Sequence, residues 1–477
     1  MAVEGGAVYN EVDFLVPAQR FNIHFSYVSQ RGLPFIREFV LRLVHISPVS
    51  KTQIATYFGL SPLETDEAVS DLVQRGDLTL SQSGRLTLTQ KSSNYFTDLE
   101  DSPQLSTVQQ AAVALSFDLA TFSCLGNSTI KDSWRGGLSL STNSELASKS
   151  ESKVELEFQN QFSEIYEARQ LPGIVSRDAK EQPTLYIVNS VHKLRQFPLR
   201  LSTEFKLDPK GTTLERDDYE LLRSSKHVHE LSAQELTRLS KPDNTMALMK
   251  AATILGDEDS LKVFDSATNA VNPEFLEDLN RLEEHNASSR TTFLGPIYAK
   301  DNWELLQKRL APIFAKWVNA KKDFADNRFV WIAPSDPFWG KSERVFSGLS
   351  DFFGRSSAKE HRLYSPAIYV PISDAEDIHS ARQWKNELSL YETHLNGIAE
   401  GFLEGNVEML LMEGELAVVI YHFSQPTKYP VSMPLGFVST KKSVVQKIGE
   451  VAFRYVESSS GFGKPNDCGK ILDILKN

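Results

Sequence analysis

The sequence predicts a multidomain α/β (α+β) protein, and three observations predict it. The chain has 477 residues, more than one hydrophobic core organises, so it should divide into units of roughly 100 to 200 residues. Residues 34 to 96 carry two capped helices in tandem and then a two-stranded pattern. From residue 328 onward, apolar strand patterns alternate with amphipathic helix patterns, the signature of an α/β sheet. Hydrophobic residues at 41% and charged residues at 24% are the proportions of a chain that folds.

In "PFIREFVLRLVHIS", Phe35, Ile36, Phe39, Val40, Leu43 and Val44 share one helical stripe, so one face should be buried. "SKTQIATYFGL" sets Ser50 and Gln53 at capping-box spacing, with Gly59 as the stop. "SPLETDEAVSDLVQRG" repeats the device with Ser61 as N-cap, Pro62 at the first helical position, Glu64 closing the box and Gly76 ending the helix. Leu78 and Leu80, then Leu86 and Leu88, alternate around a Ser/Gly turn. Helix, helix, helix, hairpin in this order resembles the winged helix-turn-helix domain.

The resemblance implies a third helix that enters the major groove of DNA. Here that helix exposes Glu64, Asp66, Glu67 and Asp71, with Arg75 at its far end. Carboxylates at its start suit the helix dipole and repel phosphates. Over 34 to 96, Arg37, Arg42, Lys51, Arg75, Arg85 and Lys91 balance Glu38, Glu64, Asp66, Glu67, Asp71 and Asp77, whereas a duplex reader shows a basic surplus. A protein-contact or spacer role is favoured over DNA contact. If duplex DNA is touched, the wing and its flanks, through Arg75, Arg85 and Lys91, are the candidates.

The formal charge of −11 opposes attraction to nucleic acid or an anionic membrane over the whole surface. Cys124 and Cys468 are the only cysteines, too few for a disulfide framework or a cysteine zinc site. The first residues lack a basic stretch followed by an apolar core, and no apolar run reaches about 18 residues. A cytoplasmic protein without a membrane span is expected.

The expected division is 1–100, the winged helix with an N-terminal extension; 101–153, a helix plus polar linker; 154–290, a mixed strand and helix domain; and 291–477, a C-terminal α/β domain. "TVQQAAVALSFDLATFSCLG" reads as an apolar helix and "SLSTNSELASKSESK" as a serine-rich linker. "VELEFQ", "TLYIVNSV" and "FPLRLSTEFKL" read as strands. "LERDDYELLRSS", "SAQELTRLS" and "NPEFLEDLNRLEEH" read as helices, with Ser232 and Asn272 as caps. "HVHE" gathers His227, His229 and Glu230, but no third ligand group accompanies them, so a solvated turn or cap is expected and no metal. Neither GxxxxGK[ST] nor GxGxxG occurs, and no nucleotide or other cofactor is expected.

"RFVWIAPSDPFW" is a buried strand that ends in a proline-rich loop, where α/β sheets place their sites. The loop holds Asp336, Lys341, Ser342 and Arg344. An exposed connection is favoured over a Ser/Lys nucleophile, for which no supporting base can be named. "PAIYVPIS" follows as a strand, "HSARQWKNELSLYETHLNGIAEGFL" as a helix, "EMLLMEGELAVVIYHFSQP" as a hairpin and "VSMPLGFVS" as a strand. A closing helix carries Val444, Val445, Ile448, Val451 and Ala452 on one stripe.

This succession resembles the phospholipase D-like superfamily, whose signature is HxKxxxxD on a strand pair. The pattern falls on Asn406 at the histidine position, Glu408 at the lysine position and Glu413 at the aspartate position. The resemblance implies a site where one histidine attacks phosphorus, another protonates the leaving oxygen and lysines neutralise the phosphate. An amide nitrogen is no nucleophile. A carboxylate about 4 Å from a phosphodiester repels it by about 1 to 4 kcal/mol, so the scaffold reads as degenerate. His422, near the end of the second hairpin strand, reads as a core histidine rather than a catalytic relic. An ordinary hairpin of another α/β domain stays open.

The leading expectation is a non-catalytic accessory or adaptor component of a multi-protein, bacterial DNA-associated system, the setting that winged helices joined to inactive phospholipase D-like domains imply, antiphage systems included. Its expected partners are other protein subunits and duplex DNA. The alternatives are a nuclease or other hydrolase with an unrecognised site and a winged-helix transcription regulator.

Overall fold

The computed structural model describes residues 6–32, 35–96, 104–128, 136–142, 144–174, 182–265, 270–271, 289–320, 327–355, 363–459 and 463–476. The chain divides into two compact units, one of Ala18–Thr129 with Ser144–Gln196 and the other of Met1–Pro17, Ile130–Asn143 and Phe197–Asn477. Helices and sheets occur in both, as the predicted α+β class requires.

In the smaller unit, β1 (Ala7–Gly32) pairs antiparallel with a later strand from Ala18 to Gly32. Between the two lies the winged helix: α1 (Phe35–Ile46), α2 (Lys51–Phe58), α3 (Pro62–Gln74), β2 (Leu78–Leu80) and β3 (Leu86–Leu88). The caps are those the sequence specifies. Ser50 Oγ accepts from the Gln53 amide while Gln53 Oε1 accepts from the Ser50 amide, and Ser61 and Glu64 reciprocate in the same way. Gly59 takes φ +66°, the left-handed stop that needs glycine. Val40, Leu41, Val44, Ile54, Val69, Leu72, Leu78 and Leu86 form the core. The buried stripe of α1 is therefore rotated from the expected one: Leu41 lies inside, while Ile36 and Phe39 are 48% and 36% exposed.

The partner of β1 is β4 (Gln104–Asp118), with Phe21 opposite Leu115, Ile23 opposite Val113 and Gly32 opposite Gln104. The expected helix over 107–126 is thus a strand up to Asp118, followed by β5 (Cys124–Gly126). Its alternating Val113, Leu115 and Phe117 are buried, a period of two rather than 3.6. Two helices, Ser144–Ser148 and Ser150–Glu167, occupy the expected linker and the expected strand "VELEFQ". Val154, Phe158, Phe162 and Ile165 recur at helical spacing and pack on the buried face of β1 and β4.

In the larger unit, β6 (Leu138–Ser139) runs parallel to the start of β1. β7 (Thr184–Leu207) takes in both expected strands of that stretch and, like β1, contributes residues to both units. "LERDDYELLRSS" forms no helix. Ser232 lies inside the helix Ser225–Leu239, where its hydroxyl donates to the Val228 carbonyl instead of capping. Asn272 and the helix expected around it fall outside the described residues. β8 (Phe264–Asp265) pairs with β9 (Ala270–Val271).

The remaining strands are β10 (Arg290–Leu294), β11 (Arg328–Ile332), β12 (Ser365–Ile372), β13 (Leu395–Ala399), β14 (Val407–Met412), β15 (Leu416–Phe423), β16 (Met433–Ser439) and β17 (Asp467–Lys470). They form one sheet in the order β10-β16-β15-β14-β11-β12-β13-β17. β11, β12 and β13 are parallel, with the helices Arg344–Gly354 and Ile378–Glu387 in their connections. β13 occupies the last third of the stretch 379–403 read as one long helix; the helix itself ends at Glu387. β14, β15 and β16 are buried at every residue, because the helices Lys300–Ala320 and Lys442–Glu457 both place apolar residues in this unit's interior; hence the unbroken apolar runs. Among the described residues, no helix is long and apolar enough to cross a membrane.

Candidate functional site

The hairpin flagged by the sequence carries a buried polar cluster of the larger unit. Glu408 on β14 stands opposite Ile420 of β15, so His422, two residues on, shares its sheet face and lies diagonal to it. His422 Nε2 is 2.9 Å from Glu408 Oε2 and its Nδ1 is 2.7 Å from Asp336 Oδ2. Glu408 is 0% exposed and His422 3%. Asp336 comes from the loop after β11.

Both carboxylates accept further hydrogen bonds. Trp331 Nε1 donates to Glu408 Oε1 at 2.7 Å. The Ser432 hydroxyl donates to Asp336 Oδ2 and the Phe338 amide to Asp336 Oδ1. Burial pushes the His422 pKa down, but the hydrogen bonds and charges of Asp336 and Glu408 outweigh it and raise it to about 9. Burial pushes Asp336 up, and the hydrogen bond and charge of His422 together with the bonds from Ser432 and the Phe338 amide reverse this, holding it below the usual carboxylate range. A carboxylate oxygen beside each ring nitrogen favours the imidazolium form, which donates from both.

The strand end around the cluster is fastened by amides. His422 N–H donates to the Asn406 carbonyl at 2.9 Å, and Asn244 Nδ2 donates to both Asn406 Oδ1 and the His422 carbonyl. Asn406 is thus a backbone fastener. Glu408, expected to repel a phosphate from an open site, faces no solvent and is neutralised by His422. Glu413 lies exposed at the hairpin turn, 3.6 Å from Arg328 Nε. The positions of the HxKxxxxD pattern do not converge on a common opening.

A cleft of about 400 Å³ opens at the carboxyl ends of β11, β12 and β13, lined by Asp336, Trp339, Lys341, Trp384, Glu387 and Glu400 among others. The loop read as an exposed connection is largely buried: Lys341 is 7% exposed and Ser342 0%. Lys341 Nζ pairs with Glu387 at 2.5 Å, whereas Ser342 Oγ donates to Glu11 at 2.9 Å and Arg344 Nε pairs with the same Glu11. Lysine and serine thus face different partners, which excludes a mutual nucleophile pair in this geometry. Trp339 Nε1 is buried without a hydrogen-bond partner among the described residues. Trp331, Ser432, Asn244 and Glu387 escaped the sequence reading, since each meets its partner across dozens of residues.

"HVHE" lies within and near the start of a helix, with His229 stacked on Tyr219 at 4.7 Å and 3.3 Å from Asp218. No metal-holding group of His, Cys, Asp and Glu occurs among the described residues.

In the winged helix, Arg75 Nε pairs with Asp71 at 2.7 Å, and Lys91 reaches Asp77 at 3.2 Å and the Arg75 carbonyl at 2.7 Å. Arg85 at the wing turn is exposed and makes no side-chain ion pair among the described residues. Asp77 is fully buried and also accepts from Arg37 and from the Tyr95 hydroxyl, so it fastens the wing to α1.

No family model matches the chain, and no curated protein matches its sequence. Among solved structures, TrmBL2, described as an archaeal chromatin protein with a novel mode of DNA binding, aligns over 48% of this chain and 69% of its own at 12% identity and a TM-score of 0.20. A TM-score that low carries no argument for this chain.

Proposed function

We propose that this chain is a non-catalytic, DNA-associated accessory component of a larger assembly, whose winged helix makes protein contacts and whose α/β unit is a binding scaffold on a degenerate phospholipase D-like plan. The bacterial DNA-handling or antiphage setting belongs to the same proposal and rests on the resemblance alone. The observation that carries the reading is the double clamp on His422. An imidazole donating from both nitrogens has no lone pair with which to attack phosphorus or accept a proton. The test is phosphodiesterase and nuclease assay of the purified chain with Mg²⁺ and with Mn²⁺. Turnover that disappears in H422Q or E408Q overturns the reading.

A second reading, duplex contact through the wing, is favoured by one observation: the exposed Arg85 guanidinium has no carboxylate partner among the described residues. At low salt, R85A should then weaken duplex binding and reduce the salt slope by about one. Equal binding by R85A and wild type removes it.

A further inference from the structure

We infer that the groove between α1 and α3 of the winged helix receives a basic amphipathic helix from a partner protein. The inference deepens the adaptor reading above and rests on it for the protein nature of the partner. The groove encloses about 350 Å³. Its floor is apolar, made by Ile36, Ala68 and Leu72, and its rim carries Glu64, Glu67 and Asp71.

Two features select the occupant. Ile36, in the groove lining, is 48% exposed, and Phe39 and Ile46, on the adjoining flank of α1 outside that lining, are 36% and 68% exposed, Phe39 with its ring edge on Phe58. Spacings of three and seven residues put the three on one stripe. Such a stripe on the surface of a folded module marks a contact site rather than a core. A helix laid against it would offer its own apolar side chains at i, i+3 or i+4, and i+7.

The rim decides the sign of the partner's charge. The two bases beside the groove are committed internally, Arg37 to the buried Asp77 and Arg75 to Asp71. Glu64 already closes the cap of α3, where hydrogen bonds from Ser61 hold its carboxyl below the usual range, so it stays ionised. Glu67 stands exposed one turn further on. Asp71 is thus balanced by Arg75, and Glu64 and Glu67 leave the rim net negative around an apolar floor, which attracts lysine and arginine flanks and repels a phosphate backbone. Duplex DNA is the excluded alternative on this face.

The experiment is selection of displayed helical peptides against the intact chain, followed by anisotropy titration of the enriched sequences. Enrichment of lysine- and arginine-rich amphipathic helices is expected, with affinity reduced about tenfold or more by I36D and by E67K. Both residues are exposed, and near-unchanged thermal melts of the variants separate lost docking from lost folding. Selection of acidic or neutral sequences, failure to select any, binding that survives both substitutions, or competition by a short duplex for the same face each overturns the inference. None of these results touches the clamp on His422, so the adaptor reading fails separately, through measured turnover.

Discussion

Trp331 and Glu408, 77 residues apart in sequence, meet through an indole N–H to carboxylate hydrogen bond of 2.7 Å inside the sheet. That bond fixes Glu408 so that its second oxygen faces His422, and the imidazolium in turn holds Asp336 at the end of β11. A ring flanked by two anions in a buried cluster is stable only while all three remain, because the desolvation of each charge is offset chiefly by its charged neighbours. The predictions for the larger unit follow from that dependence.

Removing the cation is the harshest change. H422A leaves two buried carboxylates facing each other and should destabilise the larger unit by about 3 to 5 kcal/mol, read as a lower denaturant midpoint. E408Q keeps an acceptor for Trp331 and should cost less, while lowering the His422 pKa in an NMR titration. An H422A melt equal to wild type would show the clamp to be incidental.

The pH dependence has a definite sign. Folded His422 holds its proton to about pH 9, whereas an unfolded imidazole releases it near 6.5. Its contribution is complete below about 6.5 and is lost as pH rises through about 9, with a limiting slope of about 1.4 kcal/mol per pH unit. Asp336, depressed in the fold, acts at the other end: its contribution is present above the ordinary carboxylate range and disappears as pH falls. Thermal melts of wild type should therefore decline from neutral to mildly alkaline pH, and H422Q should lose that decline.

β16 crosses its neighbours at a residue that tolerates no side chain. A Cβ on Gly436 would lie 2.5 Å from Phe293 Cζ and 2.9 Å from Ile420 Cγ1, well inside van der Waals contact. G436A should destabilise by about 1 to 3 kcal/mol through overpacking. Pairing it with F293L, which removes the aromatic obstacle, should recover part of the loss.

The caps of the winged helix can be weighed separately. S61A removes the acceptor for the Glu64 amide and should lower local stability by about 1 kcal/mol, seen as faster amide exchange in the first turn of α3. S50A should do the same for α2. Exchange unchanged in both would mean that packing alone holds these ends.

Much of the winged helix was legible because its signals are local: Ser50, Gln53, Ser61, Glu64 and Gly59 act within three or four residues, and the structure uses each as read. The errors came from windows too short to separate periods. Val154 and Phe158 within "VELEFQ" suit a strand until Phe162 and Ile165 extend the series at helical spacing. The alternation of Val113, Leu115 and Phe117 was hidden in an alanine-containing run that favours helix. The cluster was half legible. Glu408 and His422 could be named from the hairpin, but their meeting depends on register, and Asp336 and Ser432 arrive from loops that no local pattern connects.

The pairing of Gly32 with Gln104 makes the winged helix an insert at the open end of an antiparallel ribbon. Neighbouring strands of such a ribbon run about 5 Å apart, so a tight turn could close the gap left by excising everything between. Evolution, or an engineer, could thus exchange that recognition module for another while the ribbon's register stayed intact, and a hairpin-bridged deletion should still fold.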